Sequence, residues 1–178
     1  MKQEDIESVL VSEEEIKEIC KRLGEQISKD YEGKKLLLVS VLKGAVVFMA
    51  DILRSITCDC EIDFMSVSSY SGTKTTGVVK FKKDLDINPD GCDILLVEDI
   101  LDSGITLNYL KNVLLQRNAA SIKVCAFLDK PANRQADISA DYVGKVIPDA
   151  FVVGYGLDYN EKYRNLPYVG ILSPKVYS

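Results

Sequence analysis

Apolar and polar positions along the chain fall into blocks of different period. Across residues 13–30, Ile16, Ile19, Cys20, Leu23 and Ile27 recur every three or four positions, the stripe of an amphipathic helix. Ser12 followed by Glu15 has capping-box spacing and marks the helix start, and Gly33 closes the segment. Residues 35–42 (KLLLVSVL) are apolar almost without alternation, as in a strand covered on both faces. Lys43 and Gly44 interrupt that run, and residues 45–56 predict a helix packed on the sheet. Residues 58–68 alternate loosely as a strand. Residues 69–77 (SYSGTKTTG) form a polar loop, and residues 78–83 return as the second arm of a hairpin. A buried strand follows at 93–97 (DILLV), then a helix at 106–116 with Leu107, Leu110, Val113 and Leu114 facing inward. A further strand spans 122–128, and 151–154 and 169–172 supply two short ones.

Strands that alternate with helices predict an α/β fold, a mainly parallel twisted sheet flanked by helices. The 178 residues suit a single domain, 1–178. Ligands of such sheets sit beyond the carboxyl ends of the strands, which directs attention to the segments that follow each apolar run.

Composition narrows the chemistry. With a net charge of -5, the chain has no global field to attract a nucleic acid, so any phosphate it binds must be held by local geometry. There are no histidines, which removes histidine-based triads and the commonest zinc ligand. The five cysteines include one C-x-C pair, Cys58 and Cys60, which strand alternation would put on one face. Structural thiols in a reducing cytoplasm are the expectation. No apolar run reaches the roughly 18 residues of a membrane span, and the start, MKQEDIESVL, is too acidic for a signal peptide. Neither G-x-G-x-x-G nor G-x-x-x-x-G-K-[ST] occurs, so the dinucleotide and P-loop signatures are absent.

Residues 94–107 (ILLVEDILDSGITL) carry the densest chemistry. A buried strand is expected to deliver Glu98 and Asp99 to its carboxyl end, where they could bind ribose hydroxyls or a hydrated Mg²⁺. Asp102, Ser103, Gly104 and Thr106 then open a helix, and the amides of such a turn can cradle a phosphate monoester. Either feature alone is commonplace, since Asp and Ser favour helix starts and strand-end acids are often merely solvated. Their succession in this order is not commonplace.

VEDILDSGITL resembles the phosphoribosyl-pyrophosphate (PRPP) motif of type I phosphoribosyltransferases. LKG at 42–44, SSYSG at 68–72, Lys130, and IPDAFVVGYGLDYNEKYRNLPYVGIL at 147–172 are similar to the hypoxanthine-guanine branch of that family. The resemblance implies the family fold, with a small hood built from the chain ends, and a cytoplasmic purine salvage enzyme. It would use Mg²⁺ to transfer the phosphoribosyl group to N9 of hypoxanthine or guanine, giving IMP or GMP. It also implies a homodimer or homotetramer with no nucleic-acid or membrane partner.

By that resemblance Glu98 and Asp99 hold the ribose and, partly through water, Mg²⁺, while Asp158 ligates a second Mg²⁺. Asp102 is the general base, and the loop of Asp102, Ser103, Gly104, Ile105 and Thr106 wraps the 5′-phosphate. Lys43 and Gly44 form the pyrophosphate loop, with a cis peptide expected immediately before Gly44, and Arg164 contacts pyrophosphate. Lys130 would bond the C6 oxygen, Phe151 stack on the purine, Val152 read its edge through the main chain, and carbonyls near Asp158 meet C2. Ser69 and Tyr70 would belong to a closing lid. Position 105 is Ile where some relatives carry Lys, a departure of little weight if amides do the phosphate binding. A xanthine- or pyrimidine-specific transferase is a rival within the family. An RNA-binding PRPP sensor is a rival outside it, and would need a basic surface that this acidic chain lacks.

Overall fold

The computed structural model describes residues 5–69 and 79–177. Among these, nine strands and three α-helices follow in order: β1 (Ile6–Val11), α1 (Glu13–Asp30), β2 (Leu36–Val41), α2 (Val46–Ser55), β3 (Cys60–Ser69), β4 (Val79–Lys83), β5 (Asp93–Leu101), α3 (Ile105–Gln116), β6 (Ser121–Asp129), β7 (Tyr142–Val146), β8 (Val152–Val153) and β9 (Val169–Leu172). Six strands make the main sheet in the order β4-β3-β2-β5-β6-β7, parallel except for the β3/β4 hairpin. β1, β9 and β8 form a separate antiparallel sheet, the hood, from segments far apart in sequence.

Two apolar layers clamp the main sheet. On one face, Leu23 and Ile27 of α1 and Phe48 and Ile52 of α2 pack with Leu38, Leu95 and Phe127. On the other, Leu107, Leu110 and Leu114 of α3 cover Leu37, Leu96 and Val124, while Val113 is only half-buried. Each such side chain contributes about 1.5–3 kcal/mol when fully buried. The first layer also contains Val11, Val152 and Val169, so the hood shares a core with the main sheet.

The start of α1 follows the expected chemistry, with the Glu15 amide donating to Ser12 Oγ at 3.2 Å. Elsewhere the structure corrects the sequence reading. β5 does not stop at Val97 but continues to Leu101, because β6 offers ladder partners as far as Asp129. Glu98 and Asp99 are therefore strand residues. α3 begins at Ile105, directly after Gly104 in the left-handed region at φ 74°. β1 and β7 were not foreseen, and Phe151 lies just ahead of β8. Cys60 opens β3 while Cys58 precedes it, so they are not alternate residues of one strand; all five thiols are free. The cis peptide joins Leu42 to Lys43, one bond earlier than expected. There the Leu42 amide still donates to Met65 O, and the chain turns immediately afterwards.

Candidate active site

β2 lies between β3 and β5, so chain order reverses at the β2/β5 pair and a crevice opens beyond their carboxyl ends. β2 delivers Lys43 and Gly44 to that crevice, and β5 delivers Glu98, Asp99 and Asp102. The two sides touch. A β-carbon on Gly44 would lie 1.9 Å from Asp99 Oδ2, and one on Gly156 (φ 97°) would lie 2.1 Å from Gly44 O. Gly156 must be glycine for the hood loop to close on the Lys43 turn, and a side chain at Gly44 would have to displace the Asp99 carboxylate.

The acids occupy opposite sides of β5. Glu98 faces a cavity of about 180 Å³ that Val41, Asp102, Gly104, Thr106 and Leu107 also line, whereas Asp99 faces Gly44. Burial pushes Glu98 well above the usual carboxylate range, and the neighbouring Asp99 charge adds to this. Asp99 is pushed up to about 6, again chiefly by burial, although the Ile100 amide at 2.8 Å opposes the shift. Glu98 Oε1 is buried without a hydrogen-bond partner. A desolvated carboxylate with an orphaned oxygen fits a site that a divalent cation would relieve. Among the described residues no three ligand side chains converge on one point. Mg²⁺ characteristically takes one or two protein carboxylates and completes its shell with water and substrate phosphates, so the pair fits a substrate-borne ion.

The phosphate side is built from backbone. α1 begins with a serine cap and three glutamates, while α3 has neither side-chain cap nor acid in its first turn. Its leading amides are left for an anion, with the Ile105 N–H no closer than 3.5 Å to Ser103 Oγ. The loop is braced from behind by a residue the sequence did not single out. Arg134 donates from Nε to Asp102 O (2.8 Å), from Nη1 to Ile138 O (2.7 Å), and from Nη2 to Leu101 O (3.0 Å) and the Asp129 carboxylate. The Gln135 and Ala136 amides both donate to Ser103 O. Within this brace Asp102 keeps a buried Oδ1 without a partner.

Lys130 follows β6, and its own amide donates to Leu101 O, the carbonyl that Arg134 also holds. Only 8% of Lys130 is exposed, with Nζ 2.8 Å from Asp149 and 3.3 Å from Ala150 O. Next in the chain, Phe151 stands 41% exposed, its ring stacked on Tyr177 at 5.2 Å and edge-on to Tyr159 at 5.6 Å. Val152 is buried and pairs with Ile171 in the hood.

Asp158 and Arg164 are brought together rather than left free. Arg164 Nη2 sits 2.8 Å from Asp158 Oδ1 and 3.2 Å from Glu161 Oε2, and Nη1 donates to Gly156 O. Both charges reach Asp99, Arg164 favouring and Asp158 opposing its ionised form. Lys43 Nζ reaches Glu161 Oε2 at 3.1 Å. Ser69 ends β3 opposite Val79, and Tyr70 lies outside the described residues. Arg134, Asp149, Glu161 and Tyr177 are thus the site residues that spacing did not reveal. A larger cleft, about 600 Å³, lies between α1, α2 and the hood loop, and Arg164 is among the residues that line it.

Comparison with known proteins agrees with this arrangement. A phosphoribosyl transferase domain model matches residues 10–160. The chain is 54% identical to a hypoxanthine-guanine phosphoribosyltransferase of Bacillus subtilis, over 99% of both chains. It is 53% identical to a bifunctional TilS/HprT protein of Listeria monocytogenes, covering 98% of this chain and 27% of that one. A crystal structure of a Staphylococcus aureus hypoxanthine phosphoribosyltransferase superposes with a TM-score of 0.95 at 52% identity, covering 98% of this chain and 96% of that one.

Proposed function

This chain belongs to the phosphoribosyl transferase family, and from that premise we propose that it is a purine salvage enzyme that transfers the phosphoribosyl group of PRPP to hypoxanthine or guanine. N9 of the base attacks C1′, the bond from C1′ to the pyrophosphate oxygen breaks, and IMP or GMP leaves with pyrophosphate. The observation that carries the reading is that three elements lie at the carboxyl ends of the adjacent strands β5 and β6 and in the segment leading into β8. These are an uncapped helix start for a phosphate, a pair of desolvated acids, and a buried lysine beside an exposed aromatic ring.

Each residue then has a task. Asp102 through Thr106 hold the 5′-phosphate on the amides of α3. Glu98 and Asp99 take the ribose hydroxyls. Asp102, whose buried oxygen has no internal partner, accepts the N7 proton as general base. Lys130 donates to the C6 oxygen, Phe151 supplies the stacking face, and the Val152 main chain with carbonyls near Asp158 meets the base edge. Lys43, Gly44 and Arg164 bind the departing pyrophosphate. Glu98 and Asp99 would hold one Mg²⁺, partly through water, and Asp158 a second, and such ions would neutralise charge on that leaving group. Ser69 and Tyr70 belong to a lid that excludes water. Residues 1–178 act as one domain, supported by the core that hood and main sheet share. No described helix is long and apolar enough to cross a membrane. A cytoplasmic location suits the free thiols, and a homodimer or homotetramer completes the reading.

The test is incubation with PRPP, Mg²⁺ and, separately, hypoxanthine, guanine, xanthine and uracil, with nucleotide product followed by chromatography. IMP and GMP are expected. Nucleotide from uracil alone, or from no base, overturns the proposal.

A further inference from the structure

Building on that assignment of the pyrophosphate side, we propose that Glu161 is an internal stand-in for pyrophosphate, a carboxylate that pairs with Lys43 and Arg164 and competes with the leaving group for them. One oxygen, Oε2, lies 3.1 Å from Lys43 Nζ and 3.2 Å from Arg164 Nη2, so a single anionic atom bridges both cations. These cations come from distant parts of the chain, one after β2 and one in the hood. A shared anion is what such a pair is arranged to hold. The Arg164 guanidinium also keeps Nε buried without an acceptor, so its donors are not all met by the protein.

Turn chemistry makes Glu161 unusual. Tyr159 and Lys162 exchange backbone hydrogen bonds at 3.2 and 3.0 Å around Asn160 (φ 51°) and Glu161 (φ 61°). A two-residue turn with both central residues left-handed calls for Asn-Gly. Asn160 obeys that rule and Glu161 breaks it, carrying a β-carbon where glycine is preferred. A disfavoured backbone conformation retained beside a ligand crevice points to a task for the side chain. Glu161 is also well placed to leave, since its side chain is 64% exposed and that of Lys43 is 68% exposed. Its exchange with pyrophosphate swaps one anion for another without unfolding anything. The carboxylate thereby weakens the hold on the product and speeds its release.

The experiment is calorimetric titration of the whole protein with magnesium pyrophosphate and, separately, with GMP. It compares wild type with Glu161→Gln, which removes the charge, and Glu161→Gly, which suits the turn. Two exposed ion pairs are each modest, so both variants are expected to bind pyrophosphate about three- to tenfold more tightly. GMP, whose phosphate lies on the α3 amides, is expected to bind as before. Unchanged pyrophosphate binding in both variants overturns the inference alone, as does equal tightening for GMP, which would mark a general charge effect. If the wild type binds neither ligand, the functional reading falls and takes this inference with it.

Discussion

Replacing Arg134 tests whether the phosphate loop is held by its own turn chemistry or by the guanidinium behind it. The side chain donates to three backbone carbonyls at 2.7–3.0 Å and pairs with Asp129, and each partner of that pair is only 17% exposed. Arg134→Ala leaves the Asp129 carboxylate largely buried without its cation and three carbonyls short of a donor. Breaking a buried pair from one side costs about 3–5 kcal/mol, and the lost carbonyl bonds overlap with that figure rather than add to it. In a chain of this length, about 2–4 °C is lost per kcal/mol, so the thermal midpoint should fall by about 10 °C. Arg134→Lys keeps the charge but not the planar fork, so it should recover less than half of the loss. Because Asp102 O loses its Arg134 donor and Leu101 O keeps only the Lys130 amide, the loop should lose its shape. The KM for PRPP and the Kd for GMP should then rise at least about tenfold, as for a displaced binding group, at a temperature where the variant remains folded. Differential scanning fluorimetry and GMP calorimetry measure the two effects. A variant that loses stability but binds GMP normally would refute the bracing role, and a variant with an unchanged midpoint would refute the energetic argument.

Two further outcomes are expected. Asp99 ionises at about 6 in the folded protein against 3.8 ordinarily, so the folded state holds its proton more tightly. That contribution is intact below about pH 4 and lost as pH rises through about 6, a change of about 3 kcal/mol. Asp99→Asn should abolish this part of the slope in urea denaturation and exceed wild type in stability at pH 7.5 without ligand; an unchanged slope would show that burial of Asp99 is not limiting. Gly156→Ala would put a β-carbon 2.1 Å from Gly44 O at φ 97°, so it should raise the KM for PRPP more than that for the purine. Equal KM values would mean that the hood loop and the Lys43 turn move independently.

What could be read from the sequence follows from how local each signal is. Ser12 and Glu15 sit three residues apart, and the apolar runs of β2, β5 and β6 need no partner to be recognised. β1 was hidden because three of its six residues are exposed on an edge, so neither alternation nor a continuous run marks it. The extent of β5 was hidden because its ladder outlasts its hydrophobicity. Motif resemblance brought Glu98, Asp102, Lys130 and Arg164 to attention, yet it gave no hint that Arg164 rests on Asp158 and Glu161. Arg134 left no trace at all. A guanidinium that recognises carbonyls needs no particular side chain opposite it, so its partners have no signature in residue type or spacing.

The hood has a consequence for the order in which the protein takes shape during synthesis. β8, which follows Phe151 directly, is paired only with β9, and β9 in turn lies against β1, made some 160 residues earlier. The phosphate loop and its acids are complete once β6 and the Arg134 segment have left the ribosome. β8 has no ladder partner until β9 has been made and has threaded between β1 and β8. The sugar-phosphate half can therefore form before the base-facing half, which waits for the segment around residue 172.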